Sequence, residues 1–168
     1  MVPIHAHGIA VTLPAGFEGR IFRRTSVGGE ACYAVGQFAS FSMPNQVADF
    51  GSGAVNEMTP NDLFIVLFEY GRESIGKRLF QRRGMPRRLM PSDFRPYTLR
   101  RGLGGQSGSQ WFFTESERPF TLYVVLGSHA RRSSLVPRVN GLLHTVTISP
   151  PSPASASSST PVSGKGSL

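Results

Sequence analysis

The sequence predicts an α+β fold: an antiparallel sheet of about six strands with one C-terminal helix packed on one face. Three observations predict it. Apolar residues come in runs of strand length, divided by glycine and proline. Two of the longer runs, "GQSGSQWFFTE" and "RPFTLYVVLG", are separated only by a short polar break around Ser116 and Glu117, as in a hairpin. A single stretch, "SSLVPRVNGLLHTV", spaces Leu135, Val139, Leu142, Leu143 and Val146 by three or four, which is one face of a helix.

In chain order, "GIAVTLP" reads as a strand stopped by Pro14, and "AGFEG" as the turn after it. "RIFRRT" (20–25) alternates as a second strand. "EACYAVGQFASF" (30–41) is a third, with Gly36 as a candidate bulge. Residues 43–62 read as connection with a short helical turn. "LFIVLFEY" (63–70) is apolar on both faces, which predicts a central strand covered on both sides. Ser133 or Ser134 is the expected cap of the terminal helix, with Pro137 in its first turn. "TVTI" closes as a last short strand.

Residues 1–148 are the size of one domain, and 149–168 are mostly Ser, Pro, Ala and Gly, a composition that predicts a disordered tail. No apolar run approaches the ~18 residues of a membrane-spanning helix, and the N-terminus has no basic-then-apolar leader. Cys32 stands alone, which excludes an internal disulfide and suits a reducing compartment. It reads as a small buried apolar side chain. The expected location is cytoplasmic.

Charge is the most informative feature. The formal net charge is +8, and residues 72–101 carry all of it, with ten bases against two acids. The remaining chain holds eight of each. A cluster of this kind steers anions more strongly than scattered charge does. Within it, "RRGMP" (82–86) and "RRLMP" (87–91) form a tandem pentapeptide repeat, and Pro96 keeps the spacing. Proline at every fifth residue excludes a continuous helix. An extended path at ~3.1 Å per residue would set the arginine pairs roughly 15 Å apart. Met85, Met90 and Phe94 are expected to pin this arm (71–101) to the body. Arg78, Arg82, Arg83, Arg87, Arg88, Arg95, Arg100 and Arg101 would then face an anionic partner. The bland alternative is that they are solvated or paired with acids such as Asp49, Glu57 or Glu69.

Other motifs carry less. Gly71 to Lys77 satisfies G-x-x-x-x-G-K, but Arg78 stands where a P-loop needs a magnesium-binding hydroxyl. "GLGGQSG" (102–108) precedes a strand rather than a helix, so the dinucleotide-binding logic fails. His5 and His7 are two apart and would share a strand face as half a metal site, with His129, His144 or a carboxylate as a third ligand; unrelated surface histidines are favoured. No catalytic cluster and no cofactor motif is evident.

The "VTLPAGFE" opening, with Phe17 as the aromatic of its turn, resembles the Mog1/PsbP-like α/β/α sandwich family, as do the hairpin-rich middle and the terminal helix running into "LLHTVTI". The resemblance covers residues 8–148 by element order, and it implies a non-catalytic accessory or binding domain. The sequence therefore favours a binding or adaptor domain that docks an acidic protein or an anionic membrane surface through its arm. One alternative is a nucleic-acid-binding protein, in which Trp111, Phe112, Phe113 and Tyr97 stack bases. The other is a small enzyme with a dispersed site using His5, His7 or His129.

Overall fold

A computed structural model describes residues 1–24, 33–45, 53–96 and 104–152. Cys32, Asp49, Tyr97, Arg100, Arg101 and the tail from residue 153 lie outside the described residues. The fold is α+β, and the expected single sheet is in fact two antiparallel sheets. Strands β1 (Val2–Ala6), β2 (Ile9–Leu13) and β8 (Thr147–Ile148) form the smaller, in the order β1-β2-β8. Strands β3 (Glu18–Arg23), β4 (Ala34–Ala39), β5 (Leu63–Glu69), β6 (Ser107–Glu115) and β7 (Arg118–Leu126) form the larger, in the order β3-β4-β5-β7-β6. Among the described residues one α-helix, α1, spans Arg132–Leu143.

The extra strand comes from the N-terminus. "VPIHA" pairs with β2 through a two-residue turn, His7 at φ 53° and Gly8 at φ 73°. Two successive positive φ values give the turn whose twist suits a tight hairpin. Most of β1 is exposed or half-buried, so its sequence shows no alternation. At its turn end β2 also pairs with β8, Ile9 opposite Ile148.

The larger sheet buries both faces. Leu63, Ile65 and Leu67 of β5 point to one side, against α1, β2 and the arm. Phe64, Val66 and Phe68 point to the other, against residues of the 41–58 connection. This is the doubly covered central strand that its uninterrupted apolar run predicts. Gly36 is no bulge: it pairs in register with Ile21 and Leu67. A Cβ there would lie 2.9 Å from the ring of Phe38, so glycine makes room for that side chain.

Helix α1 buries Leu135, Val136, Val139, Leu142 and Leu143 on the sheet. At roughly 2 kcal/mol each, those five side chains contribute about 10 kcal/mol before entropy is counted. The helix begins earlier than its apolar spacing implies. Arg131 is its N-cap and no side chain caps it; Ser134 Oγ instead donates to Arg131 O at 2.9 Å. Pro137 therefore sits beyond the first turn. The carbonyl it would leave without a donor is that of the exposed Ser133, which water can satisfy. No helix among the described residues is long and apolar enough to cross a membrane.

Candidate functional site

The arm leaves β5 at Gly71 and makes two single 3-10 turns, Arg72–Ser74 and Arg78–Phe80. No α-helix starts at Lys77, so the G-x-x-x-x-G-K stretch lacks the helix N-terminus that a phosphate loop presents. Phe80 anchors the second turn. Its ring meets Tyr70 and Phe112 edge-on, with centroids 5.2 and 5.6 Å apart. Burial in this cluster pushes the Tyr70 hydroxyl above its ordinary pKa.

Beyond Phe80 the arm does not stand off the body. It covers the outer edge of β6, the last strand of the larger sheet. Thr114 N–H donates to Arg82 O at 2.8 Å, and Gly84 N–H donates to Thr114 O at 2.9 Å. At the other end of the strand, Arg95 and Gly108 exchange both backbone bonds at 3.0 Å. Between these clamps Leu89 is held by Asn140 of α1, whose amide accepts from Leu89 N–H at 2.8 Å and donates to Leu89 O at 3.0 Å. These bonds satisfy part of an edge that would otherwise invite pairing by another chain.

Met85, Leu89 and Phe94 are the buried pins of the arm. Met90, an expected pin, is 52% exposed, and Leu89 takes its place. The reason is local: Met90 N–H bonds to Asp93 Oδ2 at 2.7 Å, closing the 3-10 turn Pro91–Asp93 and leaving the thioether outside.

The described arginines divide into two groups. Arg87 is folded inward. Its Nη2 lies 3.0 Å from Glu115 Oε1, and its Nη1 donates to Leu143 O, at 3.0 Å, and to Val146 O. A guanidinium there meets the carbonyl end of α1, where positive charge is favoured. Arg87 is thus a structural tie and leaves the set expected to meet a partner. Arg78, Arg82, Arg83, Arg88 and Arg95 have exposed side chains, and none forms a carboxylate pair among the described residues.

Arg82 lies over the indole of Trp111, 5.2 Å from its centroid. Next to it, a groove of about 440 Å³ between arm and β6 is lined by Ser92, Asp93, Arg95, Ser109, Gln110 and Trp111. Phe113 is fully buried and stacks on Phe120, and Phe112 belongs to the Phe80 cluster, so both are packed in the fold. Of the aromatics that β6 offered for base stacking, Trp111 borders this open groove.

The histidines do not converge on a metal. His5 lies in β1 and His7 in the turn after it, so they do not share a strand face, although both border one shallow cavity of about 310 Å³. Among the described residues no three His, Cys, Asp or Glu side chains are grouped to hold an ion. His144 Nδ1 lies 2.6 Å from Asn140 O of its own helix. His129 Nδ1 is buried with no hydrogen-bond partner.

Sequence reasoning missed Asn140 and Glu115, the two side chains that fasten the arm. Asn140 lies among the polar positions of α1 and Glu115 beside the hairpin's polar break, where nothing in the local pattern sets either apart. It also missed Arg118, which is 5% exposed and ion-paired with Glu69 at 2.7 Å. No family model, curated protein or solved structure matches this chain.

Proposed function

We propose that this protein is a non-catalytic binding domain that docks an acidic protein surface through the outer face of its arm. The observation that carries the reading is the division among the arginines: the arm's backbone and apolar side chains are fastened to β6 and α1, while five guanidiniums point outward without internal carboxylates. Donors held on a fixed backbone lose less entropy on binding than donors on a loose loop. Leu79 and Met90, both more than half exposed, lie among them in sequence. Arginine and methionine with a neighbouring aromatic is a composition enriched at protein interfaces. The Mog1/PsbP-like resemblance, with the accessory role it implies, supports the same reading.

The test compares wild type with the quadruple variant Arg82→Gln, Arg83→Gln, Arg88→Gln, Arg95→Gln, leaving Arg87 in place. Binding to poly-L-glutamate, a single-stranded oligonucleotide and phosphatidylserine vesicles is titrated against salt. The expected result is saturable, salt-sensitive binding to the acidic polypeptide that the variant loses while its circular dichroism is unchanged. Undiminished binding by the variant overturns the proposal. Tighter binding to the oligonucleotide or to the vesicles transfers the site to nucleic acid or to membrane.

A further inference from the structure

At one end of the larger sheet, away from the groove of Trp111, a cleft of about 460 Å³ opens among Arg23, Tyr33, Glu69, Arg72, Arg118 and the turn at His7. Its floor is the Arg118–Glu69 pair. Arg118 has no donor to spare. Nε and Nη2 bond to Glu69 at 2.7 and 2.9 Å, Nη2 also to His7 O at 3.0 Å, and Nη1 to Gly8 O and Ser149 O at 3.3 and 3.1 Å. Glu69 is occupied as well, since Oε2 also accepts from Ala34 N–H at 3.0 Å. The floor is therefore neutral and rigid.

The rim is not neutral. Arg23, at the end of β3, is exposed and forms no ion pair among the described residues. Among the described residues Arg72 reaches only Glu117, at 4.0 Å, with both side chains more than two-thirds exposed. A contact that long and that wet contributes next to nothing. With Arg118 and Glu69 cancelling, the cleft keeps two positive charges from Arg23 and Arg72. Pro150 and Pro151 form part of its wall, and apolar walls strengthen the field of the charges between them.

The backbone is shaped around this place. The β1–β2 turn, with His7 at φ 53°, brings the carbonyls of His7 and Gly8 onto Arg118. Gly8 beside it admits no side chain: a Cβ would lie 2.6 Å from Arg118 Nη1.

We infer that this cleft binds a doubly charged oxyanion, a phosphate monoester or a dicarboxylate, between Arg23 and Arg72. Two guanidiniums match two negative charges, and their planar donor forks match paired oxygens. The cleft's volume falls within the roughly 300–1,000 Å³ range of small-ligand pockets. The site is concave, and although Arg72 lies in the first turn of the arm, none of the five outward arginines proposed above lines it.

The test is calorimetric titration of the full chain with inorganic phosphate and with succinate, in chloride buffer at constant ionic strength. Wild type, an Arg23→Gln, Arg72→Gln double variant and the four-arginine arm variant are compared. The expected result is saturable binding of one of the two probes, weakened about tenfold or more in the double variant and unchanged in the arm variant. Phosphate preferred over succinate assigns a phosphate ligand, and the reverse a dicarboxylate. Absence of saturable binding, or binding that survives in the double variant, overturns the inference. Both altered side chains are exposed, so circular dichroism is expected to show the double variant folded, and a folded variant that still binds counts against the site.

Discussion

Arg118 and Glu69 meet in a two-point contact, Nε to Oε1 at 2.7 Å and Nη2 to Oε2 at 2.9 Å, with side chains 5% and 14% exposed. The same guanidinium ties the β1–β2 turn to the residue after β8 through His7 O, Gly8 O and Ser149 O. One side chain therefore joins the two sheets beside the β1–β2 turn.

Removing one partner strands a buried charge. Glu69→Gln or Arg118→Met is expected to cost about 3–5 kcal/mol in urea denaturation. Replacing both, with Glu69→Gln and Arg118→Met together, is expected to cost less than the sum of the single changes, because neither charge is then left alone. A loss under about 0.5 kcal/mol for either single variant would show that water reaches the pair and that it is not a joint.

Arg87 and Arg88 stand side by side in the same pentapeptide, and opposite outcomes are expected for them. Arg87→Gln breaks the contact with Glu115 and the two bonds to the carbonyls after α1, for a loss of about 2 kcal/mol. Arg88→Gln alters an exposed side chain with no pair among the described residues and is expected to stay within about 0.5 kcal/mol. Chemical denaturation of the two variants measures both. Equal losses would erase the distinction between the tie and the outward arginines.

That pair also shows what can be read from the chain before its structure is known. Pattern within a short window was legible: β5 as a doubly buried run, the break at Ser116 and Glu117, the apolar face of α1, the exclusion of helix from the arm. Each depends only on neighbours in sequence. The split into two sheets was not legible, because it rests on Ile9 pairing with Ile148, and β1 hides behind Pro3 and two exposed flanks. Arg87 and Arg88 have the same composition around them, and only the tertiary position of Glu115 and the end of α1 tells them apart. The oxyanion cleft drew its arginines from β3 and a turn after β5, and charge counting along the chain placed Arg72 with the arm and Arg23 nowhere.

Glu18 makes a pH-dependent contribution whose sign follows from its bonds. The Met43 N–H at 3.0 Å, and secondarily the Ser42 hydroxyl at 2.9 Å, hold its carboxylate pKa below the usual glutamate value. A lowered folded-state pKa gives stability that is whole above the unfolded value, about 4.3, and is lost as pH falls through the folded one. Glu18→Gln is thus expected to be less stable than wild type near neutrality, with the gap closing in acid. Urea midpoints across that range check it, and a gap that widens in acid would contradict the assignment.

The β6–β7 turn holds two non-glycine residues in the left-handed region, Ser116 at φ 52° and Glu117 at φ 58°. Hairpin turns of this shape favour Asn-Gly, because a Cβ is strained there. Ser116 is fixed by its hydroxyl, which donates to Ile148 O at 2.8 Å and so ties the larger sheet to the smaller. Among the described residues Glu117 has only its loose contact with Arg72. Glu117→Gly removes the backbone strain and loses next to nothing, though glycine also gains entropy in the unfolded chain. The expected net is a gain of about 0.5–1 kcal/mol, a rise of roughly 1–4 °C in melting temperature for a domain of this size. The same change removes the carboxylate that contacts Arg72, so oxyanion binding at the cleft should tighten rather than weaken. A lower melting temperature would mean that Glu117 contributes something its distance to Arg72 does not reveal.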